Sequence, residues 1–125
     1  MGQVKIVTDT TCDLPQDIIQ KYDIRLVPIS ISLGDRTYKE MLELQPEQFY
    51  DYLSSSPQRP TSAPPSRKDF SDAYTKLLQE TDQVLSIHIS KSWTPTPELA
   101  TNMARFVMGT AKKQGKNFDI EVIDS

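Results

Sequence analysis

One cysteine and one histidine stand among the 125 residues, and these two scarcities exclude more chemistry than any motif the chain carries. Cys12 alone can close no internal disulfide, which fits a reducing cytoplasm. With His88 as the lone imidazole, the chain cannot assemble the usual nitrogen and sulfur ligands of a zinc site, so no metal or other cofactor is expected. A serine or cysteine nucleophile needs a base, and His88 is the only one. It lies within an apolar strand and points opposite to Ile87 and Ile89, which reads as a structural histidine. No G-x-S-x-G elbow, Walker loop or G-x-G-x-x-G is present. Fourteen basic against 17 acidic residues leave a net charge of −3, so nothing argues for nucleic acid. No apolar run approaches a membrane span. Met1 to Ile6 lacks the core of a secretion signal, and Ile6 stands where myristoylation wants Ser or Thr.

What is present begins with Ile6-Val7-Thr8-Asp9-Thr10-Thr11-Cys12-Asp13-Leu14-Pro15, an apolar strand running into hydroxyls and carboxylates. Such a junction lies at the carboxyl edge of an open α/β sheet, where ligands bind. Asp13 reads as an N-cap with Pro15 in the first turn of a helix to about Lys21. Ile24 to Leu33 is β-branched, with Pro28 demoting part of it to an edge or bulge, and Gly34-Asp35 turns the chain into an arm at Arg36 to Lys39. Helices are expected at Pro46 to Leu53 and Arg67 to Gln79. Ser66 and Asp69 form a variant capping box, and Phe70, Ala73, Tyr74, Leu77 and Leu78 form a buried stripe. The proline-rich stretch Ser54 to Pro65 reads as a rigid loop without regular structure. Val84 to Ile89 is a strand, followed by a helix with Leu99, Met103, Phe106, Val107 and Ala111 on its buried face. Gly115 stops that helix, and Ile120 to Ile123 is a last strand. The order implies an α/β fold: a mostly parallel sheet with helices on both faces.

Two groups of residues could carry function. Asp9 ends its strand as an aspartyl nucleophile does, but Thr11 occupies the place of the second carboxylate that magnesium-dependent phosphoryl transfer uses. Asp9 therefore reads as a fixer of the junction, with a hydrolase or phosphotransferase as the alternative. The other group is hydroxyl-bearing: Thr61 and Ser62 on the proline loop, and Ser90, Ser92, Thr94 and Thr96 before the long helix. Neutral hydroxyls and helix N–H groups can hold a carboxylate or phosphate without a counter-charge. For Thr94 and Thr96, plain capping is the competing reading, with Pro95 or Pro97 at the first helical position. Trp93 could shield an apolar ligand or close the core, and the core is the expectation.

Val7 to Pro15, Val27-Pro28-Ile29-Ser30-Ile31, Gly34 with Tyr38, Pro60-Thr61-Ser62-Ala63-Pro64-Pro65-Ser66 with Phe70, the serine-rich turn after Ile89, and Val122-Ile123-Asp124-Ser125 follow one another in the order found in the DegV family. The chain resembles that family throughout, as its amino-terminal lobe. The resemblance implies binding of a long-chain fatty acid whose carboxylate is presented to a partner fatty acid kinase, the chain itself not being the enzyme. It places Thr61, Ser62 and Thr94 beside the lipid carboxylate; Asp9, Thr10, Ser90, Ser92 and Trp93, near the same strand ends, are expected as pocket support. Two departures stand out. Pro95 removes an N–H where the family's turn is glycine-rich. The family is also considerably longer, so residues 1–125 are expected to form an incomplete domain without its carboxyl-terminal lobe; a further alternative is a scaffold fragment that binds nothing by itself, whose uncovered apolar face would favour self-association.

Overall fold

The computed structural model describes residues 3–125. Met1 and Gly2, read above for leader and lipidation signals, lie outside the described residues. Four strands, β1 (Lys5–Asp9), β2 (Arg25–Val27), β6 (Gln83–His88) and β7 (Asp119–Asp124), form a parallel sheet in the order β2-β1-β6-β7. Three more, β3 (Ser30–Leu33), β4 (Arg36–Lys39) and β5 (Thr61–Ala63), form a separate antiparallel sheet in the order β4-β3-β5. The helices are α1 (Gln16–Lys21), α2 (Pro46–Ser55), α3 (Arg67–Leu78) and α4 (Thr96–Lys113).

Strand order fixes where the helices go. From β1 the chain crosses to β2 on one side, whereas the path from β2 to β6 and then β7 steps the other way. Right-handed crossovers therefore put α1 on one face and α3 and α4 together on the other. The two long helices indeed pack on each other. Val7, Val84 and Ile120 from the sheet, Phe70, Tyr74 and Leu77 from α3, and Ala100, Ala104, Val107 and Ala111 from α4 form the main core. Each large side chain buried there contributes about 1.5–3 kcal/mol. A smaller cluster of Ile31, Leu33 and Leu44, flanked by Phe49 and Tyr52, stabilises the antiparallel sheet.

Several expectations are corrected. The run from Ile24 to Leu33 splits at Pro28 into β2 and β3, which belong to different sheets. Proline offers no N–H to continue a ladder, so the chain changes partners there. The proline loop holds a strand after all: β5 pairs Thr61 with Ser32 and Ser62 with Ile31. Three residues between prolines suffice when β3 supplies the edge. Asp13 does not cap α1; it ends a 3₁₀ turn at Thr10–Cys12 with φ 55°, and Pro15 occupies the cap position. In α4 the buried stripe is rotated toward Ala100, Ala104, Val107 and Ala111, leaving Phe106 61% exposed. Close approach of α4 to α3 and the sheet favours the small side chains and turns the phenyl ring out. The capping box forms as expected, with Ser66 accepting from the Asp69 N–H at 3.0 Å and Asp69 accepting from the Ser66 N–H at 3.2 Å. Gly115 ends α4 at φ 77°, a left-handed conformation that suits glycine.

Candidate ligand site at the sheet switch point

Between β1 and β6 the direction of the crossovers reverses, and the carboxyl ends of these strands open the crevice in which α/β sheets bind ligands. Asp9 ends β1 and His88 ends β6, side by side. Strand alternation turns Val7, Asp9, Val84, Ser86 and His88 all toward α3. There they join one buried network. Nδ1 of His88 lies 2.6 Å from Asp9 Oδ2, Nε2 lies 2.7 Å from Ser86 Oγ, and the Tyr74 hydroxyl donates to Ser86 Oγ at 2.8 Å. The N–H of Thr11 donates to Asp9 Oδ1 at 2.9 Å, and the Thr11 hydroxyl donates to the same oxygen. Phe70 packs its ring edge-to-face with the imidazole, centroids 5.4 Å apart.

Proton accounting fixes the direction of this chain. An ionised Asp9 only accepts, so Nδ1 of His88 carries a hydrogen and Nε2 accepts from the Ser86 hydroxyl, which itself accepts from Tyr74. Every polar atom is then satisfied with a neutral imidazole and a charged aspartate. Burial pushes the Asp9 carboxyl up, but the hydrogen bonds from His88 and Thr11 outweigh it and hold it below the usual carboxylate range. Burial also drives the Tyr74 phenol up to about 12, against the pull of Ser86.

The arrangement has the order of a nucleophile, base and acid, yet its serine oxygen is sealed from solvent. Ser86 is fully buried, Asp9 and His88 are each 2% exposed, and the Tyr74 hydroxyl covers the serine oxygen. Both Asp9 oxygens likewise accept hydrogen bonds, Oδ1 from Thr11 and Oδ2 from His88, so the carboxylate serves first to hold the junction. This set could have been found from sequence: Ser86 and His88 share a strand face at a spacing of two, and an aspartate closes a second strand. Because the folded carboxyl is more acidic than the unfolded one, its stabilisation is full above the unfolded pKa of about 4 and disappears as pH falls through the lower folded value. Urea unfolding between pH 6 and pH 2 should show stability dropping below about pH 4, and a drop of the same size in Asp9→Asn would contradict the assignment.

Beside Asp9 opens a cavity of about 290 Å³, walled by Asp9, Thr11, Ile29, Ser62, Ala63, Pro64, Ile89, Trp93, Thr94, Pro95 and Thr96. Both sheets build it: Ser62 comes from the antiparallel one, whereas Asp9 and the turn before α4 come from the parallel one. Ser62, Thr94, Asp9 and Trp93 are thus brought together among the residues expected from sequence. Thr61, exposed opposite Ser32 on β5, lies outside the lining. So do Ser90 and Ser92, which tie the turn: Ser90 Oγ accepts from the Ser92 N–H at 3.1 Å. The Lys91 N–H reaches Asp124 at 2.8 Å, fastening the same turn to β7.

Thr94 keeps a local role as well. Its hydroxyl lies 2.9 Å from the Thr96 hydroxyl and accepts weakly from the Thr96 N–H at 3.3 Å. Pro95 stands at the cap position and Pro97 is second in the helix, so neither is first. Trp93 is corrected outright: it is 85% exposed at the cavity rim and belongs to no core. Thr10 faces away, toward a second cavity of about 390 Å³, where its hydroxyl donates to Glu40 at 2.8 Å and accepts from the Ile29 N–H at 3.1 Å. Among the described residues no group of three or more His, Cys, Asp or Glu side chains could hold a metal, and no helix is long and apolar enough to cross a membrane.

A family model described as an uncharacterised protein of the DegV family matches residues 3–125. A DegV domain-containing protein of Clostridium perfringens is 34% identical over 125 residues, covering 100% of this chain and 42% of its own. A solved DegV family protein from Thermus thermophilus, described by its fatty acid binding, superposes with a TM-score of 0.78 at 31% identity, over 98% of this chain and 40% of its own. DegV from Bacillus subtilis, described as a fatty acid binding protein, gives 0.85 at 26% identity, over 97% of this chain and 40% of its own. The chain therefore spans about two fifths of the length of these relatives. With its whole described length matched and its fold shared, the chain belongs to the DegV family.

Proposed function

We propose that the protein binds a long-chain fatty acid and holds its carboxylate at the cavity between the sheets, through Ser62 and Thr94, with Thr61 beside Ser62 on β5 but outside the lining. One observation carries the reading: hydroxyls from β5 and from the turn before α4 meet in a single cavity at the carboxyl edge of the parallel sheet. The relatives described as fatty acid binders support the ligand class. Neutral donors suit a carboxylate that must be released or handed on, because they bind it without the strength of an ion pair. The rim position of Trp93 gives an amphipathic surface where an acyl chain can enter. The same reading makes the protein a carrier that presents the carboxylate to a partner kinase and catalyses nothing itself.

The test is fatty acid affinity of Ser62→Ala, Thr94→Ala, Thr61→Ala and the Ser62/Thr94 double variant, made in the full-length protein. A hydrogen bond to a charged group is worth about 1.5–3 kcal/mol, so each substitution at Ser62 or Thr94 should weaken binding roughly ten-fold or more. Unchanged affinity in the double variant would remove the carboxylate site from this cavity. Turnover of a phosphate ester with magnesium, abolished by Asp9→Asn in a folded protein, would replace the carrier reading with the hydrolytic one.

A further inference from the structure

The second cavity lies on the other side of the 3₁₀ turn Thr10–Cys12. Odd positions of that turn face the hydroxyl-lined cavity, and even positions face this one. Its volume of about 390 Å³ falls in the range of small-molecule pockets, and its walls are mostly apolar, with Leu14, Ile19, Leu26, Ile31, Leu44 and Phe49 from four separate parts of the fold. No lysine, arginine or histidine contributes to the lining; the charged groups there are Glu40 and Asp13. Glu40 is the polar group the fold has placed deliberately. Its Oε2 accepts from Thr10 at 2.8 Å, and among the described residues no donor reaches Oε1 and no cation pairs with the carboxyl.

From this geometry we infer that the second cavity is a binding site for an apolar molecule ending in a protonated amine, the ammonium donating to Glu40 Oε1 and the hydrocarbon lying against Leu14, Ile31, Leu44 and Phe49. The sign of the charge decides the class. A carboxylate or phosphate head would face two carboxylates with no compensating cation, whereas an ammonium gains a charge-assisted hydrogen bond inside partly apolar walls. A bare hydrated metal ion gains too little, since one carboxyl and one hydroxyl do not make a coordination shell. Burial foremost, together with the Asp13 and Asp9 charges, pushes the Glu40 carboxyl above the usual range against the pull of Thr10. A positive head group relieves that burden, and among the described residues no cation does.

The inference is independent of the fatty acid reading, which concerns the other cavity. Cys12 supplies the readout, because it is the only cysteine, it is half-buried and it lines this space. Alkylation of Cys12 by iodoacetamide, an uncharged reagent, is followed with increasing n-octylamine, n-octanol or octanoate at pH 7.5. Saturable slowing by octylamine at concentrations at least ten-fold below those of octanol and octanoate is the expected result. Glu40→Gln, which keeps the shape and the Thr10 partner, should erase that ten-fold preference while urea unfolding shows the protein still folded. Three outcomes would overturn the site: no protection by octylamine, equal protection by octanoate, or an unchanged preference in Glu40→Gln. Loss of fatty acid binding in Ser62→Ala/Thr94→Ala with the octylamine preference intact is expected, and the two sites are thereby separated.

Discussion

Asp9→Asn should lower the stability of the protein by about 1.5–3 kcal/mol for each hydrogen bond to the buried carboxylate that the neutral amide cannot replace. Three donors converge on the Asp9 carboxylate: His88 Nδ1–H, the Thr11 N–H and the Thr11 hydroxyl. Asparagine has a single acceptor oxygen, and its NH₂ group must face at least one of these donors. Moving the imidazole hydrogen to Nε2 does not rescue the arrangement. Ser86 would then receive hydrogens from both His88 and Tyr74 while its own found no acceptor, which costs roughly 1–3 kcal/mol for each buried group left unpaired. Urea unfolding of the two proteins, compared by midpoint at constant slope, measures the loss. A change under about 1 kcal/mol would mean that the carboxylate is not the charged anchor of this network. Two milder variants separate the links. Tyr74→Phe removes only a donor and should cost about 1 kcal/mol, whereas Ser86→Ala strands both the phenol and the imidazole nitrogen and should cost more.

Phe70→Ala is expected to destabilise by about 3–5 kcal/mol through a different mechanism, the cavity left by a large buried ring. Phe70 is wholly buried in the main core, tilts against Tyr74 at a centroid distance of 5.9 Å and presents its ring to His88 at 5.4 Å. Its loss removes apolar burial and the wall that keeps water from the imidazole. The effect should therefore exceed simple transfer. Solvent entering beside His88 gives that ring an alternative partner, so Phe70→Ala and Asp9→Asn should combine to less than their sum. Strict additivity in the double variant would indicate that the aromatic wall and the polar network act separately. Leu77→Ala, buried equally but remote from the imidazole by its position on α3, is the additive control.

The parts of the fold legible in the residues were those set by local periodicity and capping. β1, β6 and β7 announce themselves as short apolar runs, and Ser66 with Asp69 marks the start of α3. What was not legible depends on partners distant in the chain. Pro28 told of an interruption but not that the halves join different sheets, because sheet membership is decided by pairing and not by propensity. Thr61 to Ala63 carries almost no strand signal, and only the open edge of β3 draws it into a ladder. In α4 the larger residues suggested the buried stripe, whereas close helix packing selects the alanines. Of the site, the hydroxyl positions Ser62 and Thr94 were visible in sequence and share a cavity. Thr61 stands outside its lining. The buried relay from Tyr74 to Asp9 was only half announced, because Ser86 and His88 share a strand face at a spacing of two but meet Asp9 only through the pairing of β1 with β6, and Tyr74 reaches them from α3.

Among the described residues no backbone ladder crosses between the four-stranded and three-stranded sheets. Their attachment near the cavity runs through side chains instead: Thr10 to the Ile29 N–H and to Glu40, and Lys39 to Asp69 at 2.9 Å. The gap between Ser62 and Thr94 is therefore expected to widen by rotating a few side chains while every strand keeps its neighbours. Amides of β5 should exchange with deuterium long before those of β1 and β6, and a bound guest spanning the seam should slow them first. For the fatty acid carrier proposed above, such a seam would give a long molecule an aperture through which to thread without unfolding its host.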